Sequence, residues 1–313
     1  MRKLLLLIVV LFSFSLIFST TLYLGTGYNG ISKITFDGNK WTKTQHFCPP
    51  ISTSGVETTS YIYTYLRDHG FCVIDKEHMS VIAQIDTFHA EDIAIDINKL
   101  KIYVADGVGL GVYFIERPSR IWFRGKINLK GWISQIELID NYIVVASQLN
   151  GIYLLRECSD YFIPLDFIGP DYLDPLKEPL MINSLEVFVR TIYIATNDSL
   201  RLIRISNNKF HNELQISDEV CLDVAVNGTY IAAAEPMKNR VSLFLTSNRT
   251  KSKEIFFPNQ PAAVELLKDE NTGRLFLATI VRGTGLVIDD LSSGDRWTIG
   301  GSYMGFIRKL SVQ

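Results

Sequence analysis

Three of the five histidines, His46, His69 and His89, stand in polar segments of the first third of the chain. His69 lies in Arg67-Asp68-His69-Gly70, and His89 is followed by Glu91, Asp92 and, further on, Asp106. Imidazoles and carboxylates brought together can hold a divalent metal or move a proton. Their spacing matches no metal-ligand motif, so the same residues also read as solvated loop positions. Trp132 offers an aromatic surface, and Glu235 is an acid at the position equivalent to Asp106. Gly169–Met181 is a proline-rich insertion carrying Tyr172, long enough to overhang a site or to be a plain variable connection. The candidate ligand-binding set is thus Arg67, Asp68, His69, His89, Asp92, Asp106, Trp132, Tyr172 and Glu235. No catalytic residue, metal or cofactor is assigned.

Several chemistries find no support. There is no phosphate loop, GxSxG elbow or HExxH helix. Gly25–Gly30, GTGYNG, joins strand to strand and lacks the helix N-terminus that a phosphate site uses. The formal charge is −2, and removing Arg2 and Lys3 leaves 29 basic against 33 acidic residues, or −4. That balance argues against a general nucleic-acid binder. Cys48, Cys72, Cys158 and Cys221 form no CxxC pair, and their scatter favours four separate small hydrophobes over zinc ligands.

The elements that position these residues come from a repeat. The strand KIYVAD at 101 has relatives at 21, 61, 142, 191, 230 and 274. The residues equivalent to Tyr103 are Tyr23, Tyr63, Val144, Tyr193, Ala232 and Phe276, at intervals of 40, 40, 41, 49, 39 and 44. Two positions on stands Gly25, Ala105, Ala146, Ala195, Ala234 or Ala278, with Tyr65 as the exception. A further strand follows each copy, five times opening with glycine, as in GVYFIE at 111 and GIYLLR at 151. A strand such as DIAIDI or QIELID precedes it, and an irregular one such as RIWFRGKI ends the unit. Four short strands per roughly 40 residues is the signature of propeller blades. The spacing therefore predicts an all-β, seven-bladed β-propeller of four-stranded blades over residues 20–313.

The ends fit that ring. The first copy lacks its first strand, and IRKLSV at 307–312 has the first-strand pattern, so the C-terminal strand is expected to complete the N-terminal blade. Closure would remove the open edges that invite aggregation. Residues 1–19 carry a basic start, Met1-Arg2-Lys3, and an apolar run, Leu4–Phe18, too short for a bilayer span. They read as a secretory signal peptide, with an uncleaved anchor as the alternative and the sole expected membrane contact. Three sequons, at Asn197, Asn227 and Asn248, matter only where the host glycosylates.

In such a ring the loops joining second to third strands and one blade to the next share a face, and the candidate residues fall there. First-strand acids Asp92, Glu137, Glu186, Asp223 and Glu265 would line the channel, either as an acidic lining or as hydrogen-bond acceptors for the neighbouring blade. Trp41, Trp122 and Trp297 fall on fourth strands, where packing between blades is expected.

The copies resemble the LVIVD repeat of bacterial surface and exported propellers. Residues 92–115 and 222–245 match its first two parts, and GFCVIDK at 70–76 and GLVIDDL at 285–291 its third. DIAIDINKLKIYVADG is also similar to the core of NHL propellers. Both resemblances imply interaction or scaffold roles more often than catalysis, though some NHL-like propellers are enzymes. The expectation is a secreted, periplasmic or envelope-located module binding an unknown protein or small ligand. A propeller lyase or hydrolase using the loop His and Asp residues, with or without a metal, is the alternative.

Overall fold

A computed structural model of the chain describes residues 20–47, 52–65, 67–158, 161–169 and 181–309. Among these residues there are twenty-eight strands, one short 3-10 turn at Pro236–Lys238 and no α-helix. Residues 90–128 show the repeating element. Ala90–Asp96, Lys101–Asp106, Gly109–Arg117 and Arg120–Asn128 pair antiparallel in sequence order. The chain breaks between strands at Asx-type turns, such as Asp96 accepting from the backbone N–H of Lys99.

Five sheets have four strands and one has eight. The eight-stranded sheet is two four-stranded runs joined edge to edge. Thr20–Gly25, Ile31–Phe36 and Trp41–Phe47 form one run with Gly305–Lys309, and Gly55–Glu57, Tyr61–Tyr65, Phe71–Asp75 and Ser80–Ile85 form the other. The joint is the one parallel pairing described, with Ile307 opposite Gly55. On its other side Gly305–Lys309 pairs antiparallel with Thr20–Gly25, Tyr23 lying opposite Ile307 and Gly25 opposite Gly305. The C-terminal strand thus completes the N-terminal sheet, starting two residues before the expected Ile307. Residues 310–313 lie outside the described residues.

Seven strands line a central cavity: Gly55–Glu57, Ala90–Asp96, Ile133–Ile139, Ile182–Phe188, Val224–Val226, Pro261–Lys268 and Gly305–Lys309. Each touches the next, and the last touches the first. No sheet encloses a core of its own. Seven apolar clusters instead lie one between each neighbouring pair of four-stranded runs. The second strands are buried on both faces because each is sandwiched between two neighbours. This explains the alanines of the repeat: Ala105, Ala146, Ala195, Ala234 and Ala278 are fully buried where sheets meet.

The contact between the last sheet and the first is the most aromatic. Phe36 lies 5.2 Å from Trp41 and 5.0 Å from Phe276, and Trp297 closes the group at 6.1 Å from Phe36. Arg274 covers Phe36 and Phe276. Trp41 and Trp297 therefore pack between sheets as expected. Trp122 does not: it is 47% exposed on an outer strand, donates to Glu116 and stacks on Arg120. Of the glycines expected at third-strand entries, Gly151 has φ +103 and its missing side chain makes room for the carbonyl of Ile168. Gly111 lies inside its strand, and the left-handed turn is made by Gly107 instead. Cys72 and Cys221 are buried free thiols and Cys158 is half-buried and free, while Cys48 lies outside the described residues. Burial pushes the Cys72 thiol up to about 12.

Because closure depends on Gly305–Lys309, a chain ending at Gly305 should melt at lower temperature as a whole. Fluorescence from seam residues Trp41 and Trp297 and from distant Trp132 should be lost together; a truncated chain melting like the full one would refute closure. The joint between the two halves of the eight-stranded sheet is also glycine-dependent. A Cβ at Gly25 would stand 2.3 Å from the carbonyl oxygen of Thr53. Gly25→Ala should cost roughly 1–3 kcal/mol by overpacking, read as a lower denaturation midpoint.

Candidate functional site

The loops of one face gather part of the predicted set. The loop between the second and third strands of one sheet carries Arg67, Asp68 and His69, and Arg67 adopts a left-handed backbone whose carbonyl accepts from Gly70 and Ala90. The connection to the next sheet carries Phe88 and His89. His89 Nδ1 meets the Asp68 carboxylate, and its Nε2 lies 2.7 Å from Glu91 Oε1. An imidazole flanked by two acceptors satisfies both only when each ring nitrogen carries a proton. The ring of Trp132 stands edge-on at 5.1 Å. Asp106 fixes this corner from below, accepting from the backbone N–H of His89 at 2.7 Å and from Lys126 Nζ at 2.8 Å. Phe88 and Trp132 stand over Gly107, where no side chain intervenes.

The remaining candidates separate. His69 is exposed and makes no hydrogen bond or ion pair with the described residues. Glu235 is buried on a distant sheet, bonded to Arg240 Nε at 2.5 Å and to Ser217 Oγ at 3.4 Å. It fastens its own loop, as Asp106 does. His46 bonds Ser32, His78 meets Asp75 and His211 meets a backbone carbonyl, so none joins His89. Tyr172 and residues 170–180 of the insertion lie outside the described residues. No group of three His, Cys, Asp or Glu fit to hold a metal occurs among the described residues.

Asp92 belongs to the channel, and there the five acids fall in two layers. Asp92 and Asp223 stand level with Ala105 and Ala234 of the second strands. Glu137, Glu186 and Glu265 sit two residues further along, level with Val144, Tyr193 and Ala278. In the first layer Gln135, Ser184 and Ala263 fill the places of the missing acids. This layer is a belt linking sheet to sheet. Asp92 accepts from Ile136 N at 2.8 Å, Gln135 exchanges two bonds with the backbone of Leu185, Ser184 donates to Asp223 at 2.6 Å, and Asp223 accepts from Val264 N at 2.9 Å. The hydrogen-bonding role expected of the acids thus holds for Asp92 and Asp223.

Glu137, Glu186 and Glu265 face the channel around one cation that sequence reasoning passed over. Arg308, on the C-terminal strand, reaches Glu186 at 2.7 Å, Glu265 at 3.2 Å and Asp223 at 3.5 Å. Burial pushes Asp92 up to about 7. Burial, opposed by Arg308 and reinforced by the other acids, raises Glu186 to about 8 and also lifts Glu265. Glu137 rises through burial and the charge of Glu186. The cavity has a volume of about 1700 Å³ and is lined by first-to-second-strand turns such as Thr58–Ser60 and Ile97–Lys99, and by none of the second-to-third-strand loops. Its loop lining thus comes from the face opposite His89.

Sequence reasoning also missed the apolar character of the His89 face. Tyr28, Val108, Leu149 and Met237 stand in second-to-third-strand loops, and Phe88, Trp132 and Met304 in connections between sheets, all exposed. Tyr28 is 85% and Phe88 and Met237 each 73% exposed. The signal was there as an apolar residue inside a polar turn: GYNG, DGVG, SQLNG and EPMKN.

No family model matches the chain, and no curated protein matches it. Solved structures do. The β-propeller domain of Cps50 (Swd1) from Myceliophteria thermophila aligns at TM-score 0.67 and 11% identity, over 90% of this chain and 97% of that one. A candidate 6-phosphogluconolactonase from Bacteroides uniformis aligns at TM-score 0.72 and 12% identity, over 91% and 98%. Sqt1 of Saccharomyces cerevisiae aligns at TM-score 0.65 and 14% identity, over 90% and 82%. At such identities the likeness is one of fold, and the fold is a β-propeller.

Proposed function

We propose that this chain is an exported, seven-bladed β-propeller of LVIVD-like repeats that serves as a protein-binding module at the cell envelope, docking through the His89 face. The blade count is supported by the seven cavity-lining strands and by the division of the eight-stranded sheet at its parallel joint. Export is supported by the basic start and the apolar run Leu4–Phe18. The observation that carries the binding role is the set of seven large apolar side chains left in water on the loops of the His89 face, against Ile97, Leu100 and Val189 on the opposite one. Water-exposed apolar groups, Trp132 among them, rimmed by ion pairs, are what a protein interface presents. Two neighbours in fold, Swd1 and Sqt1, are neither similar enough in sequence to lend a partner nor needed for this reading.

A second reading rests on His89 held between Asp68 and Glu91, an arrangement able to move protons, and on the candidate lactonase among the structural neighbours. In that reading the chain is a lyase or hydrolase acting at the same corner.

Both are open to test. A photo-crosslinker placed at Met237 should capture a partner in cells, whereas one at Val189, on the opposite face, should not. Phe88→Ser with Trp132→Ala should weaken that partner's binding at least ~30-fold without lowering the melting temperature, as loss of a central aromatic anchor does. Equal capture from Val189, or unchanged binding by the double variant, would sink the docking face. For the enzyme reading, purified protein is offered a sugar-lactone panel. No turnover above His89→Ala is expected; turnover abolished by His89→Ala in a chain of unchanged melting temperature would replace the binding role with a hydrolase.

A further inference from the structure

We propose that Arg308 makes the C-terminal strand a charge-controlled clasp: its guanidinium is the counter-ion that keeps the ring shut once the channel carboxylates ionise. The strand Gly305–Lys309 is held by few backbone bonds, since three residue pairs join it to Thr20–Gly25 and three to Gly55–Glu57. Its side chain at 308 reaches the acids of three other sheets, Glu186, Asp223 and Glu265, spanning the channel. A single residue on the closing strand thus ties together the inner strands farthest along the chain from the N-terminal seam.

The groups facing it from every lining strand are unequal in charge. Ala90–Asp96 contributes Asp92, with Glu91 held at its upper end by His89. Ile133–Ile139 contributes Glu137, Ile182–Phe188 Glu186, and Pro261–Lys268 Glu265, and Asp223 stands just before Val224–Val226. Gly55–Glu57 contributes Glu57, already neutralised by Lys76 at 3.0 Å. On the closing strand itself Lys309 follows Arg308 at the lower rim. Around the guanidinium, five carboxylates therefore face one half-buried cation.

The sign of the pH effect follows. Unfolded carboxylates titrate near pH 4. In the folded chain Asp92 and Glu186 hold protons up to about 7 and about 8, and Glu137 and Glu265 also release theirs later than usual. Between about pH 5 and 8 the folded state therefore binds more protons than the unfolded, and stability falls as pH rises. Arg308 opposes that fall, because its attraction grows with each carboxylate that ionises. Its contribution is small in acid and large above neutrality.

The test compares melting of the full chain at pH 5.5 and 8.5. The unmodified chain should melt higher at pH 5.5. Arg308→Gln should lower the melting temperature by roughly 3–8 °C at pH 8.5 and by under about 2 °C at pH 5.5. Arg308→Lys should keep part of the difference, and Glu186→Gln added to Arg308→Gln should restore several degrees at pH 8.5 only. Amide exchange at Leu24 and Ile307 should quicken in Arg308→Gln at pH 8.5. If Arg308→Gln fails to fold, Glu186→Gln alone must flatten the pH dependence of melting. Equal losses at both pH values, or no rescue by Glu186→Gln, would show that Arg308 acts by packing alone and overturn the clasp.

Discussion

The structure depends on one constraint: no sheet can bury its own apolar surface. Every core lies between two neighbours, so each sheet is stable only while both of its neighbours are in place. A line of such sheets would expose a core at each end. Bending the line into a ring converts those two exposed surfaces into one more interface, and here that interface is the aromatic cluster of Phe36, Trp41, Phe276 and Trp297. Burial of apolar area stabilises by about 25 cal/mol per Å². The closing interface removes large rings from water on both sides, so it is the costliest to leave open. The C-terminal strand makes that interface possible, since it supplies the inner edge that the first sheet otherwise lacks.

The inner wall solves a different problem. Narrow strands converge at the channel, where backbone groups are half shielded and packing alone does not fix their height relative to one another. The belt from Asp92 through Gln135 and Ser184 to Asp223 does, because each side chain reaches one defined group on the next sheet. A one-residue slip would leave a buried carboxylate without its N–H, at a cost of about 1–3 kcal/mol per group. The belt works by penalising wrong registers as much as by stabilising the right one. Arg308 and its acids are a less economical arrangement, since gathering like charges opposes folding. Their value lies in making closure responsive to charge.

Much of this was legible in the chain itself. The Tyr103-type positions and the alanines two residues on mark the second strands, because a strand buried on both faces tolerates only residues that fit between sheets. The pattern of Ile307–Val312 pointed to the closing strand because a first strand has the same alternation wherever it stands in the sequence. The layers of the channel acids are lost when the acids are grouped by charge alone. Aligned on Ile93 and Ile136, the strands match Asp92 to Gln135 and Ala94 to Glu137, and the bulges before Asp92 and Gln135 fall at the same place, so Glu137 stands two residues further along. Arg308 escaped notice for a related reason: its partners lie on three other sheets, 122 residues away in the case of Glu186, and no local pattern encodes such a contact.

The two faces also divide in chemistry, and loop geometry explains why. The turns between first and second strands expose Ile97, Leu100 and Val189 among mostly polar residues, and they line an acidic cavity. The loops on the other face are anchored at their base by the residue that ends each second strand. Asp106 grips the backbone of His89, Ser147 donates to the carbonyl of Lys130, and Thr196 closes its loop on Ser199. With the base fixed by polar bonds, the tip of a loop is free of any structural duty. Tyr28, Val108, Leu149 and Met237 occupy such tips, where a polar residue would fold as well and be better hydrated. In the docking role proposed for this face, these tips are what a partner would cover, and the stiff propeller base would leave little further ordering of the backbone to do.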